Sequence, residues 1–311
     1  MAQPFGKTAE LSVDRQLGLS TLRRKIQAFF AYFYKVPYFV PYWNRKTYGA
    51  LAKCFLSGTV INGRELERLP GRLKQIFSGT EMIPCGQGRV AIELALRALD
   101  VSEGSEVILP SFCCASVLQP VLAAGATPVL ADVGEELNLT VDTVERALSS
   151  RTRAIIVPHL FGNPANIQPI VELARVKRIF VIDDAAQALG GRLDGKPLGA
   201  FGDAGVLSFG KGKVCFGTGG GVLLASHSDL LERTRKIVLA QGSFSEGLKN
   251  ALAILLWRRW RRWSLPLQVL LSRMRRKSKD REGWPGGGHS YPREAMKNLD
   301  VAVALTLLDT L

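Results

Sequence analysis

Two neighbouring acidic residues end an apolar stretch that is typical of a buried strand. Asp183 and Asp184 close the sequence RIFVIDD (residues 178–184), and two alanines follow before Gln187. A carboxylate at such a position most often caps the next helix or is solvated. The small residues after it also let a ligand approach the backbone closely, so both a structural and a binding role stay open.

A glycine-rich turn that contains lysine is the second candidate. The sequence LSFGKGK (residues 207–213) carries Ser208, Lys211 and Lys213, and the glycine run GTGGG follows at 217–221. Backbone N–H groups of such a turn can surround an anion such as phosphate, and the Ser208 hydroxyl group adds a donor. Taken alone, the turn fits an ordinary loop as well as it fits a binding site.

Together the two elements fit the chemistry of pyridoxal phosphate (PLP). This cofactor needs a lysine amine to form an imine with its aldehyde, and an acid to pair with its pyridinium nitrogen. The acid keeps the ring nitrogen protonated, so the ring can accept electrons when an amino acid loses its α-proton. The lysine then transfers that proton. The sequence therefore predicts a PLP site.

The elements that position these residues alternate along the chain from about residue 49 to 240. Apolar runs rich in branched residues predict strands at 106–110, 127–132, 153–158, 178–184 and 221–226. Helices are predicted between them at 89–98, 116–124, 140–149 and 167–176. This order predicts an α/β fold, a mostly parallel sheet between helices. Ligands bind at the carboxyl ends of such strands, where Ser111, His159, Asp184 and Ser208 are expected.

Five short motifs follow one another through this region. They are GQGRVAI (86–92), ATPV (126–129), VPHLFG (157–162), IDDAAQA (182–188) and SFGKGKV (208–214). In this order they resemble the DegT/DnrJ/StrS family of sugar aminotransferases, whose large domain has fold type I of the PLP enzymes. The resemblance extends from about residue 56 to 236.

The resemblance implies a role for each matched position. Asp184 pairs with the pyridine nitrogen, Gln187 lies against the ring or its O3′, and Lys213 is the catalytic lysine that binds the aldehyde. The phosphate is bound by Ser208 and by the turn at the start of a helix, Gly88 and Arg89.

Two further positions are weighed against this assignment. Lys213 is preferred to Lys211 because it lies five residues after Ser208, which is the spacing of the family motif. His159 is expected to bond to the backbone at its strand end and is given no catalytic part.

The lysine also indicates the reaction, because family members with histidine at that position act as dehydratases. The resemblance implies transfer of an amino group from an amino acid, glutamate or glutamine, to a nucleotide-linked keto sugar. Such a reaction serves surface-polysaccharide or amino-sugar biosynthesis. Family active sites are commonly built across a two-fold axis, so a homodimer is expected. No metal is expected, since the five cysteines form no group with zinc spacing.

Three positions depart from the family pattern. Arg89 replaces a threonine of the phosphate turn, and Cys114 occupies the place of an aromatic residue that stacks on the cofactor, a role that Phe112 could supply. The segment 292–296 does not match the stretch that reaches the partner subunit. The chain also ends where members continue into a small domain. These departures favour an alternative, a degenerate non-catalytic member that acts as a membrane-surface scaffold or regulator.

The basic charge of the chain is concentrated in one segment. The net charge is +14, and ten Lys or Arg residues lie between 258 and 281, against the single acid Asp280. Composition divides the chain into four predicted regions. They are an aromatic and basic extension (1–48), a PLP-binding large domain (49–240), a basic amphipathic helical insert (241–290) and the start of a truncated C-terminal domain (291–311).

The insert interleaves tryptophan with arginine. Trp257, Trp260 and Trp263 would share one face of a helix. This pattern suits an anionic membrane surface, so peripheral membrane contact through 250–280 is predicted. Packing on a partner or a second copy is the alternative, and nucleic-acid binding is disfavoured because no recognisable module is present. The absence of a signal peptide and of a spanning apolar stretch predicts a cytoplasmic protein at the inner face of the membrane.

Overall fold

The computed structural model describes residues 42–260 and 291–311. Its helices are α1 (Arg45–Leu56), α2 (Glu65–Lys74), α3 (Gly88–Ala98), α4 (Ala115–Ala123), α5 (Val141–Ala147), α6 (Ile167–Lys177), α7 (Ser228–Arg235), α8 (Phe244–Trp260) and α9 (Asn298–Leu308). Its strands are β1 (Glu81–Cys85), β2 (Glu106–Pro110), β3 (Thr127–Ala131), β4 (Thr152–Pro158), β5 (Phe180–Asp184), β6 (Arg192–Leu193), β7 (Lys196–Pro197), β8 (Ala204–Ser208) and β9 (Gly221–Ala225).

Seven of the strands form one sheet in the order β1-β9-β8-β5-β4-β2-β3. The five strands from β8 to β3 are parallel to their neighbours, whereas β9 pairs antiparallel with both β8 and β1. The predicted mostly parallel sheet is therefore confirmed. The remaining strands, β6 and β7, form a separate short hairpin.

The sheet is buried on both faces, which explains the continuous apolar runs in its strands. In β2, Val107 and Leu109 face one cluster of the core, and Ile108 between them faces the other. Buried residues of α3, α4 and α7 belong to the first cluster, and those of α2, α6 and α9 belong to the second. The helices thus cover the sheet from both sides, as the alternation predicted.

Local backbone chemistry corrects some of the predicted boundaries. Strand β5 begins at Phe180, two residues later than predicted, because α6 ends in the left-handed residue Arg178 (φ 57°). Helix α5 is shorter than the predicted 140–149. Thr140 lies outside it as the N-cap in a capping box, and Leu148 is already extended.

Six elements were missed by the sequence patterns, namely α1, α2, α7, β1 and the short strands β6 and β7. Strand β1 contains Pro84, which argues against a central strand; β1 lies at the edge of the sheet, where proline is tolerated. Helices α1 and α2 both pack against α9, whose residues Leu299, Val303 and Leu308 are fully buried.

The predicted insert is only partly within the described residues. Helix α8 contributes Ala251 and Ile254 to the core, so its first half is part of the folded domain. The side chains of 256–260, the rest of the insert (261–290) and the aromatic run at 26–41 lie outside what the structure describes. The divisions at residues 48, 240 and 290 stay predictions. Within 42–260 and 291–311, no helix is both long and apolar enough to cross a membrane.

Candidate active site

A cavity of about 590 Å³ opens at the carboxyl ends of the parallel strands. The last residues of β4, β5 and β8, which are Pro158, Asp184 and Ser208, form its floor. The start of α3 and the turn after β8 line it as well. The structure thus brings together all six predicted site residues: Gly88, Arg89, Asp184, Gln187, Ser208 and Lys213.

Asp184 presents a carboxylate to this cavity from an almost fully buried position. Its Oδ1 accepts a 3.0 Å hydrogen bond from the backbone N–H of Ala186. Burial raises the pKa of Asp184, while the Ala186 hydrogen bond and the charge of Lys213 lower it. No described residue donates a hydrogen bond to its Oδ2. This oxygen is therefore available to a protonated group of a ligand, which would stabilise the charged carboxylate.

Asp183, next in the strand, has a structural role. Its Oδ1 lies 2.7 Å from Nε2 of His159, and its Oδ2 accepts backbone hydrogen bonds from Gly199 (2.8 Å) and Phe201 (2.9 Å). Because successive residues of a strand point to opposite faces, only one of the two aspartates can face the cavity. The structure thus distinguishes Asp183, which is buried and holds neighbouring groups of the fold, from Asp184, which lines the cavity.

His159 supports Asp183 and does not reach the cavity. Its Nδ1 accepts a 3.0 Å hydrogen bond from the backbone N–H of Ala165, so its proton is on Nε2 and is donated to Asp183. Both ring nitrogens are thereby used within the fold. The predicted backbone contact of this histidine is confirmed.

Both candidate lysines lie in the turn after β8 and line the cavity. The ammonium group of Lys211 donates a 3.3 Å hydrogen bond to Oδ1 of Asn250, and its pKa is lowered by partial burial and by the nearby Lys249. Lys213 is the lysine whose charge acts on Asp184. No described residue forms a hydrogen bond with the amine of Lys213. Lys213 is therefore the lysine whose charge is felt at Asp184, and its role as the cofactor lysine stays a prediction.

The start of α3 forms a tight anion-binding corner with Ser208. A Cβ atom on Gly88 would lie 3.0 Å from Cβ of Ser208 and 3.3 Å from its Oγ. A Cβ atom on Gly221 would lie 2.5 Å from the backbone nitrogen of Gly88. Glycine is required at 221, where the blocking atoms belong to the backbone, and a side chain at 88 would crowd Ser208. A helix N-terminus beside a hydroxyl group is a site for phosphate.

Arg89 and Gln187 are held at the cavity by contacts that the sequence did not indicate. Nη1 of Arg89 donates a 2.6 Å hydrogen bond to Oε1 of Gln119, and its guanidinium group lies 5.4 Å from the centre of the Tyr291 ring. Oε1 of Gln187 accepts a 3.2 Å hydrogen bond from the backbone N–H of Phe161. Tyr291 is distant in sequence and carries no local motif, so no sequence signal could have found it.

The aromatic residue near the cavity is not the predicted one. Phe112 does not line the cavity and instead contacts Phe161, with ring centres 6.5 Å apart. Phe161 does line it, as does the exposed Cys114. Separately, the described residues contain no group of three or more His, Cys, Asp or Glu residues that could hold a metal ion.

Comparisons with known proteins bear on the family of the chain. A model of the DegT/DnrJ/EryC1/StrS aminotransferase family matches residues 42–251. The UDP-N-acetyl-3-dehydro-alpha-D-glucosamine 3-aminotransferase of Acidithiobacillus ferrooxidans is 38% identical over 183 residues, 58% of this chain and 49% of that protein. The dTDP-3-amino-3,4,6-trideoxy-alpha-D-glucose transaminase of Streptomyces venezuelae is 36% identical over 196 residues, 62% of this chain and 51% of that protein. The chain spans about half the length of these curated relatives.

Solved structures have the same fold. The structure of S. venezuelae DesV in complex with a ketimine intermediate matches with a TM-score of 0.62 and 28% identity, covering 85% of this chain and 62% of that one. The aminotransferase TlmJ from Streptoalloteichus hindustanus matches in fold with a TM-score of 0.67 and 23% identity, covering 89% of this chain and 66% of that one. The family match and these relatives confirm the resemblance seen in the motifs: the chain belongs to the DegT/DnrJ/EryC1/StrS aminotransferase family, which is PLP-dependent.

Proposed function

We propose that this chain binds PLP and transfers an amino group from an amino acid, glutamate or glutamine, to a nucleotide-linked keto sugar. The observation that carries the proposal is that Asp184 and Lys213 line one cavity, beside the anion-binding corner of Gly88 and Ser208. The names of the two curated relatives support a sugar-nucleotide substrate. Such a reaction belongs to amino-sugar or surface-polysaccharide biosynthesis.

The residues present fit PLP. The cavity volume lies within the usual range for cofactor sites, roughly 300–1,000 Å³. The cofactor is a flat ring with a phosphate, an aldehyde and a basic nitrogen. For the phosphate, the cavity offers a hydroxyl group and a helix N-terminus. For the aldehyde it offers an amine, and for the ring nitrogen it offers the carboxylate of Asp184.

Each residue then has a defined task. When bound, PLP supplies an aldehyde that combines with amines and a ring that accepts electrons. Asp184 holds the proton on the ring nitrogen. Lys213 would bind the aldehyde, and its Nζ, once an amino acid had replaced it, would serve as the base that takes the proton of the substrate Cα and as the acid that delivers it. Ser208, Gly88 and Arg89 would hold the phosphate.

Borohydride trapping tests the assignment of the lysine. The full chain is incubated with PLP, reduced and digested, and the labelled peptide is identified by mass spectrometry. We expect the label on Lys213, its loss in Lys213→Ala, and its persistence in the matched variant Lys211→Ala. A chain that takes up no label, or labels only Lys211, would contradict the proposal.

One observation favours a second candidate, a family member that binds PLP without catalysing transfer. Cys114 lines the cavity at the place where the family carries a stacking aromatic residue. Turnover separates the two functions. Loss of the visible absorbance of lysine-bound PLP on addition of glutamate or glutamine supports the enzyme, and a band that no amino donor changes supports a scaffold or regulator.

A homodimer and membrane contact through 250–280 complete the proposal. The dimer is supported by the family's construction of sites across a two-fold axis. Analytical ultracentrifugation of the full chain tests it, and a monomer at every concentration would contradict it. The membrane contact is supported by the Trp and Arg pattern of the insert.

A further inference from the structure

Arg89 and Glu93 lie one turn apart on α3 but do not pair. Residues four apart on a helix are neighbours on its surface, and an arginine and a glutamate at that spacing commonly form an ion pair. Here Oε1 of Glu93 is bound by Nε of Arg97 at 2.8 Å and by Nε of Arg293 at 2.6 Å. Glu93 is 1% exposed, so water does not compete for it.

Tyr291 takes the other oxygen of Glu93 and separates it from Arg89. Its hydroxyl group donates a 2.6 Å hydrogen bond to Oε2 of Glu93, while its ring lies beneath the guanidinium group of Arg89. Burial and the hydrogen bond to Glu93 raise the pKa of Tyr291, so the hydroxyl group stays a donor. One side chain thereby saturates the carboxylate and supports the neighbouring cation through its ring face.

The guanidinium group of Arg89 is consequently available to pair with an anionic ligand. It forms no ion pair with any residue in the described part of the chain, and its hydrogen bond goes to the neutral side chain of Gln119. Arg89 is the second residue of α3, whose first turn forms the anion-binding corner, and it lines the same cavity as Ser208. A guanidinium group fixed in this way suits a phosphate, which it can bind through two parallel hydrogen bonds.

We propose that Tyr291 is a positioning residue of the phosphate site, which prevents Arg89 from pairing with Glu93 and, with Gln119, holds the guanidinium group toward the cofactor phosphate. The proposal rests on PLP binding at this cavity. It also gives a function to the segment after residue 290, which carries the ring to the start of α3.

The test compares PLP with pyridoxal, which has the same ring and aldehyde but no phosphate. Equilibrium absorbance titrations of the full chain give the Kd of both for wild type, Tyr291→Phe and Tyr291→Ala. We expect Tyr291→Ala to weaken PLP binding by roughly tenfold, because Arg89 turns to Glu93, and to leave pyridoxal binding unchanged. Tyr291→Phe keeps the ring but frees Oε2 of Glu93, so its loss for PLP should be smaller.

A double-mutant cycle with Arg89→Thr identifies the route of the effect. If Tyr291 acts through Arg89, Tyr291→Ala should weaken PLP binding no further in the Arg89→Thr background. Arg293→Ala is the matched control, because it removes another partner of Glu93 without touching Arg89, and the ratio of the two Kd values should stay that of wild type.

The contrary outcomes are distinct. The proposal is overturned if Tyr291→Ala weakens both ligands equally, changes neither, strengthens PLP binding, or adds its full effect to Arg89→Thr. A wild-type chain that binds neither PLP nor pyridoxal would overturn the proposed function itself, whereas normal PLP binding with an unchanged ratio in Tyr291→Ala overturns only the role of Tyr291.

Discussion

The carboxylate of Asp300 accepts a 2.6 Å hydrogen bond from the hydroxyl group of Thr218, and this bond ties α9 to the glycine-rich turn before β9. Both side chains are buried. The turn is bonded in its own right to the segment before α3, because the backbone N–H of Gly220 donates a 2.9 Å hydrogen bond to the carbonyl of Gly86. A helix 82 residues downstream of the turn therefore helps to fix the anion-binding corner.

Thr218→Val should destabilise the protein. The variant keeps the shape of the side chain but removes the donor, so Oδ1 of Asp300 loses its hydrogen bond. Its Oδ2 atom has no hydrogen bond from the described residues either, only the ammonium group of Lys297 at 3.8 Å. We expect a loss of about 1–3 kcal/mol in the free energy of unfolding, measured with urea. Thr310→Val at the exposed end of α9 is the control, and an equal loss there would refute the special role of Thr218.

Asp300→Asn should change the pH dependence of stability. Burial, the largest influence, raises the pKa of Asp300, although Lys297 and Thr218 lower it. The folded protein therefore holds this proton more tightly than the unfolded chain, where aspartate titrates at about 3.9. The associated stability is complete below that value and is lost as pH rises through the folded-state pKa.

The asparagine variant does not titrate, so its stability relative to wild type should increase as the pH is raised from about 3.9 toward neutrality. Urea unfolding at a series of pH values measures this difference. Lys297 keeps its contacts with Glu246 and Glu294 in the variant, both at 3.4 Å, so its charge stays compensated. A difference between the two proteins that is the same at every pH would show that the carboxyl group has no raised pKa.

The two adjacent aspartates should give opposite phenotypes. Asp184→Asn removes the partner of the ring nitrogen, and we expect PLP to bind while amino transfer slows by about 10²–10³-fold with stability little changed. Asp183→Asn should instead lower the free energy of unfolding by about 1–3 kcal/mol, because an amide cannot accept all the hydrogen bonds of the carboxylate. Rate assays and urea unfolding of both variants check this. A stability loss confined to Asp184→Asn would reverse the assignment.

Gly221→Ala should disturb the corner where β9 meets the start of α3. Its Cβ atom would lie 2.5 Å from the backbone of Gln87 and Gly88, which cannot move aside as a side chain could. We expect a loss of at least about 1–3 kcal/mol in stability and weaker PLP binding. Gly71→Ala in α2, where no atom lies within 4 Å of the new Cβ, should stabilise the protein by about 0.5–1 kcal/mol.

Membrane binding through the insert should depend on its tryptophans. Deleting the segment from residue 250 would remove Ala251 and Ile254 from the core, so substitution is the cleaner change. Replacing Trp257, Trp260 and Trp263 by Ser should reduce flotation with vesicles that contain anionic lipid. Circular dichroism checks that the fold is intact. Equal flotation of the variant and the wild type would exclude these side chains from membrane contact.

The strand ends and the glycine turns were predictable from the sequence, because each depends on neighbours close along the chain, and the choice of Lys213 stays a prediction. Apolar runs that are buried on both faces give strands, and parallel strands bring their carboxyl ends to one edge. The strand-end positions of Asp184 and Ser208 follow from that topology, whereas Gly88, Arg89, Gln187 and Lys213 were assigned from the resemblance to the family. The order of the motifs indicated the family, and the spacing between Ser208 and Lys213 favoured Lys213 over Lys211.

Only the tertiary structure could show that Asp183 is bonded to His159 and to the backbone of Gly199 and Phe201, or bring Tyr291 between Arg89 and Glu93. The hydrogen bond from Tyr291 to Glu93 joins residues 198 positions apart. Such contacts depend on how α9 and the segment before it pack on the sheet. No repeating pattern of residues along the chain indicates them. A sequence pattern records which face of an element is apolar, whereas the partner of a buried polar group is decided by packing between distant elements.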